Sequence, residues 1–182
     1  MHLSTHASAA ETHQSGAILM TGEATQSNEA SQHQEIESRF GKISVNLDQA
    51  IFFPRGLLGI PGELHFCLAD FPEDRQMGSF RLLQCLNDHT LSFVVLPLGL
   101  ENDFIEHADL QECCSVTGID PDQLLVLLII SVNRVPGSVR VTANLRAPVV
   151  VDAEGRFAGQ YVFPTNKYDI NHVLSATQTG DN

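Results

Sequence analysis

The 182-residue chain has no tryptophan, and only ten lysines and arginines stand against 22 aspartates and glutamates. With a net charge of −12 and no Lys/Arg cluster, it lacks the basic face that direct nucleic-acid binding uses to displace counterions. The acidity keeps the chain soluble, and it also suits a basic protein partner steered in by the field. Long apolar runs are missing too. The longest, LLVLLII at 124–130, falls far short of the ~18 residues that read as a membrane span. The opening MHLSTHASAAETHQSG lacks the basic start and apolar middle of a secretory signal, so the expected location is cytoplasmic. The four cysteines, Cys67, Cys85, Cys113 and Cys114, show no C-x-x-C spacing, and reduced thiols are expected. G-x-S-x-G, Walker and H-E-x-x-H patterns are absent.

What is present divides into three parts. Residues 1–38 are rich in Ser, Thr, Gln, Ala, His and Glu, with no Lys, Arg, Phe, Pro or Tyr. Such a segment buries too little apolar area to offset the entropy of ordering, so a disordered N-terminal tail is expected there. A domain over 39–176 and a disordered C-terminus over 177–182 complete the division. Within the domain, KISVNL (42–47), AIFF (50–53), LHFCLA (64–69), SFRLLQCL (79–86), LSFVVLPL (91–98), SVRVTANL (138–145), PVVV (148–151) and RFAGQYVF (156–163) read as strands. LLVLLIISV (124–132) reads as a strand buried on both faces. In SVRVTANL the alternation puts Val139, Val141, Ala143 and Leu145 inward and Arg140, Thr142 and Asn144 outward. ADLQECCSVTG (108–118) predicts one short helix with Gly118 as its C-terminal cap. The inventory is mainly β: a small antiparallel barrel-like domain with one short helix. Pro148 cannot donate to a ladder and marks an edge or a bend.

The chemistry-bearing candidates are few. FPRGLLGIPG (53–62) has glycines at 56, 59 and 62 but no following helix or P-loop lysine, so it reads as turns. His65 and Cys67 share a face of a strand, as a pair of zinc ligands would, but spacing supplies no further ligands. In the vicinal pair Cys113–Cys114, one buried and one surface thiol is expected, because side chains adjacent on a helix diverge. Glu101, Asp103, Glu106, Asp109 and Glu112 gather within a dozen residues. They read as a solvated loop entering a helix, as an acidic docking patch, or as paired catalytic carboxylates.

AIFFPRGLLGIPG (50–62) resembles the N-terminal signature of the FliW flagellar assembly factors. LSFVVLPLGL (91–100), LLVLLIISV (124–132) with VTANLRAPVVVD (141–152), RFAGQYVF (156–163) and KYDINHVL (167–174) resemble that family's later segments in the same order. The chain departs from it at Ile60-Pro61 and at Cys85. The resemblance implies a monomeric, non-enzymatic, cytoplasmic regulator with no cofactor, which binds flagellin and the translational repressor CsrA in mutually exclusive complexes. Neither nucleic acid nor membrane is expected as a direct partner. Glu101, Asp103, Glu106 and Asp109 are the expected partner-binding residues, acting on CsrA through their field. Flagellin is expected to meet exposed apolar surface, its terminal helices being amphipathic and unpaired before export. The alternatives are a small-ligand-binding β-barrel, or a metal-dependent enzyme using His65 and Cys67.

Overall fold

A computed structural model gives the fold and describes residues 32–75, 77–136 and 138–178. In chain order the elements are β1 (His33–Ser38), β2 (Gly41–Asn46), β3 (Ile51–Phe52), β4 (His65–Ala69), β5 (Arg81–Cys85), β6 (Ser92–Leu98) and α1 (His107–Thr117). Then come β7 (Leu124–Val135), β8 (Ser138–Ala143), β9 (Val149–Asp152), β10 (Phe157–Gln160) and β11 (His172–Gln178). The mainly β, barrel-like class with a single short α-helix is what the described residues contain.

The sheet runs β11-β8-β7-β6-β5-β4-β3-β10-β9, and β9 pairs back onto β7. Strands β3, β4, β5, β6, β7, β9 and β10 therefore form a closed ring, which removes open sheet edges. Its pairings are antiparallel except β3 with β10, which meet in parallel at Phe52 and Phe157. β7 makes the closure possible. Its first half takes β9 along one edge, with Leu127 opposite Val149, and its second half takes β8 on the same edge, with Ile130 opposite Ala143. Between these pairs β7 has two residues, 128 and 129, whereas the opposing chain has five, 144–148. The excess is thrown out as a wide bulge. Asn144 anchors it, its Oδ1 accepting from Ala147 N at 2.9 Å. Pro148, which has no amide to give a ladder, sits where the chain re-enters the ring, as its expected bend role requires.

Alternation along the ring strands builds three apolar clusters. The ring interior is filled by Phe53, Phe66, Leu83, Val95, Leu127, Val149 and Val151. Full burial of a Phe or Leu contributes about 2–3 kcal/mol, so this filling is a large stabilising term. Outside the ring, Val126, Leu128 and Val150 face Leu110, Cys113 and Cys114 of α1. On another side Cys67, Ala69 and Leu82 are covered by Ile36, Ile43 and Val45 of the β1–β2 hairpin. Hence β7 is apolar on both faces, as its unbroken run predicts.

Four expectations are corrected. The tail boundary after Ser38 is too late: residues 33–38 form β1, paired in register with β2 from His33↔Asn46 to Ser38↔Gly41. Its polar side chains hide one inward apolar position, Ile36, that seals the hairpin. Residues 1–31 of the expected tail lie outside the described residues. Thr177 and Gln178, assigned to a disordered C-terminus, belong to β11 and pair with Val139 and Ser138; residues 179–182 are outside the description. Thr142, expected outward, is 2% exposed: the alternation of β8 breaks at its end, where Thr142 and Ala143 are both buried. Cys113 and Cys114 are both buried: the stripe Leu110, Cys113, Cys114 follows the i, i+3, i+4 spacing of one helix face.

Candidate functional site

α1 carries the expected acidic residues at its N-terminus. Two short-range features set the helix. Asn102 Oδ1 accepts from Phe104 N and Ile105 N, both at 2.9 Å, and turns the chain into it. Gly118, left-handed at φ 74°, ends it, donating its amide to Cys114 O at 2.8 Å. The N-cap, Glu106, makes no side-chain capping bond. The capping group comes from far along the chain: the Glu106 amide donates to Tyr168 Oη at 3.0 Å.

That contact belongs to a four-residue cluster. Tyr168 donates its hydroxyl to the Asp109 carboxylate. Lys167 Nζ lies 2.7 Å from both Glu106 Oε2 and Asp109 Oδ2. The Lys167 ammonium, and after it the Tyr168 hydroxyl, hold the Asp109 carboxyl below its ordinary range. Asp109 and then Glu106 raise Lys167, while burial and the bond to Asp109 raise Tyr168. Each of the three is thereby fixed in one protonation state at neutral pH. A catalytic acid needs the opposite, a carboxyl pushed upward by apolar burial, so the paired-carboxylate reading loses its chemical basis at Asp109.

The expected quartet thus divides. Glu106 and Asp109 share Lys167. Glu101 is exposed, its Oε1 2.9 Å from His107 Nδ1 without hydrogen-bond geometry. Asp103 is exposed and faces a cleft of about 390 Å³ shared with Phe104, Ile105, Leu145 and Tyr168. Glu112, further along α1, is exposed as well.

The other candidates stay apart. His65 is exposed and stacks on Phe52, ring centroids 5.2 Å apart. Cys67 is fully buried, donates its thiol to Asn46 O at 3.3 Å, and is pushed up to about 11 by burial. A thiol held protonated in this way is a poor metal ligand. Among the described residues no group of three or more His, Cys, Asp or Glu residues is placed to hold a metal ion. The glycines of 53–62 do serve turns: Gly56 and Gly59 have φ of 65° and 85°, and the Gly56 and Ile60 amides are taken by Phe53 O and Leu57 O.

Sequence reasoning missed Lys167 and Tyr168, which stand 58 and 59 residues from Asp109. It also missed an apolar groove of about 510 Å³ between the 54–58 turn, β10 and the last turn of α1. Leu58 and Val116 stand on its rim at 62% and 67% exposure. Leu58 lies within the apolar stretch LLGIP and only Val116, between Ser115 and Thr117, stands out in the sequence. No helix among the described residues is long and apolar enough to cross a membrane.

Known proteins resemble this chain in sequence and in fold. The FliW protein family model matches residues 34–174. The flagellar assembly factor FliW of Caldanaerobacter subterraneus subsp. tengcongensis is 30% identical over 137 residues, covering 74% of this chain and 88% of that one. Its counterpart in Geotalea uraniireducens is 29% identical over 141 residues, covering 77% and 83%. A crystal structure of the flagellar assembly factor FliW superposes with a TM-score of 0.56 at 22% identity, over 78% of this chain and 96% of that one, and so has the same fold. The family match spans most of the chain and includes the ring, α1 and the Lys167–Tyr168 segment: the chain belongs to the FliW family.

Proposed function

We propose that this protein is a cytoplasmic flagellar assembly factor that works by binding proteins, not by catalysis. It holds flagellin before export and, when free of flagellin, takes CsrA away from messenger RNA. The observation that carries the reading is the family match over residues 34–174. The locked protonation states around Asp109 and the filled ring interior support a binding module over an enzyme or a small-ligand barrel.

The acidic end of α1 is the surface for CsrA, a basic protein. Of the four carboxylates, Glu101 and Asp103 face solvent without a lysine or arginine partner among the described residues, and they supply the field an RNA-binding cation meets. Glu106 and Asp109, neutralised in part by Lys167, hold the helix start in place. Titration calorimetry of the purified chain with flagellin and with CsrA at low salt tests the assignment: both bind, and each displaces the other. Glu101→Gln with Asp103→Asn leaves flagellin binding unchanged and weakens release of RNA from CsrA, more at low than at high salt. Retention of neither partner sinks the function; unaltered RNA release by the double variant sinks the role of the two carboxylates.

A further inference from the structure

We infer that the outer edge of β11 is a docking site for an extended, acidic segment of another protein, which joins the sheet as a further strand. β11 lies outside the closed ring and pairs on one side only, with β8. A strand turns its amides and carbonyls alternately to its two sides. β8 takes one set, and the other is left without a strand partner among the described residues. Proteins guard such an edge with charge or proline. His172–Gln178, HVLSATQ, has no Asp, Glu, Lys, Arg or Pro. Its one irregularity is the register shift between Val173 and Ser175, after which pairing runs on to Gln178↔Ser138. The opposite margin of the same three strands, β7 beyond Ile129, is guarded: it carries Arg134 and ends against Pro136.

The form of the partner follows from the edge. A row of open amides and carbonyls is met by extended backbone, whereas a helix has spent its own. The partner's charge follows from β8. No Asp or Glu occurs from 123 to 151, while Arg134, Arg140 and Arg146 supply three of the ten lysines and arginines in a chain of net charge −12. Arg140 is exposed and makes no ion pair among the described residues. It stands one strand in from the edge, opposite Ala176. An added strand lies two strand spacings, about 10 Å, from β8, a gap that an arginine and a glutamate reaching toward each other span. Val173, 45% exposed, is opposite Thr142, two residues from Arg140 and therefore on the same face of the sheet. The segment that fits carries an apolar residue beside Val173 and a carboxylate beside Ala176, two residues apart on one face. Nucleic acid would meet the arginine but has no peptide edge to offer, so the partner is a protein.

The test involves neither flagellin nor CsrA and so stands apart from the proposed function. The probe is a fluorescein-labelled peptide of about ten residues, threonine at every second position and valine and glutamate in turn between them. One control peptide replaces glutamate by lysine; another has every backbone nitrogen methylated. Anisotropy titrations with the full chain are expected to show saturable binding of the acidic probe and binding of the lysine probe at least about tenfold weaker. The methylated peptide, stripped of its donors, is expected not to bind. Arg140→Glu, at an exposed position, is expected to keep the melting temperature and to weaken the acidic probe by at least about tenfold at low salt, with the gap shrinking as salt screens it. Arg140→Gln is expected to fall between it and the wild type. Arg55→Glu, on the 54–58 turn, is the charge control and is expected to leave the affinity within about twofold. Equal losses in Arg140→Glu and Arg55→Glu, equal affinity for the acidic and methylated peptides, or no saturable binding overturns the assignment. So does a dimer in sedimentation runs that excludes the probe, since a second copy would then hold the edge.

Discussion

Replacing Tyr168 by Phe removes one oxygen atom and tests the account of the helix start. The ring of Tyr168 is 7% exposed and packs on Phe163, so phenylalanine keeps the packing. Two bonds go: the hydroxyl's donation to Asp109 and its acceptance from the Glu106 amide at 3.0 Å. A bond to a charged group contributes about 1.5–3 kcal/mol, and an amide left without an acceptor costs about 1 kcal/mol more. The Asp109 side chain is 26% exposed, so water replaces part of the first loss. The expected net cost is about 2 kcal/mol. For a domain of this size that lowers Tm by about 4–8 °C. The pH dependence has a definite sign. Asp109 is depressed in the fold, so its contribution is present above the ordinary aspartate value of 3.8 and is lost as pH falls through the lower folded value. The gap between wild type and Tyr168→Phe in calorimetric scans is therefore widest near neutrality and narrows on acidification below 3.8. Lys167→Met, which removes an exposed cation, gives a smaller shift that salt abolishes. A Tyr168→Phe gap within experimental error at neutral pH, or one unchanged on acidification, refutes the reasoning.

Two further perturbations have clear signs. A Cβ on Gly56 would sit 2.4 Å from Ile60 O at φ 65°, whereas one on Gly59, at φ 85°, meets open space. Gly56→Ala is expected to cost more than about 3 kcal/mol and Gly59→Ala only about 1–2 kcal/mol of left-handed strain; urea midpoints measure both, and equal costs contradict the clash. Burial pushes Cys67 up to about 11 and Cys113 up to about 12, so both remain thiols at pH 8. A disulfide reagent is expected to label them only after denaturant is added; rapid labelling of either in the folded protein counts against the buried assignment.

How much of this was legible in the sequence depends on the range of the interaction. β7 declares itself because both of its faces are apolar, and α1 because Gly118 stops it; both signals lie within a dozen residues. The glycine turns at 56 and 59 are legible for the same reason. β1 was hidden because HQEIES has one deeply buried apolar residue, Ile36, and owes its strand conformation to β2. Thr142 was misplaced because strict alternation fails at the end of β8, where it is buried beside Ala143. The acidic segment was found but its division was not. Nothing local distinguishes Asp109 from Asp103, and the lysine that does so is distant in the chain. The groove is the same case, since Leu58 and Val116 are brought together only by closure of the ring.

The parallel seam between β3 and β10 bears on the order of folding. The hairpins β4–β5–β6 and β7–β8 join near neighbours in the chain, whereas Phe52 and Phe157 come from distant parts of it and share a single paired position. The entropy of closing so long a loop is recovered only after the intervening strands are in place. The seam is therefore the last stitch to form and the first to open, so nascent chains expose the Phe53–Phe66 interior until β10 has been synthesised.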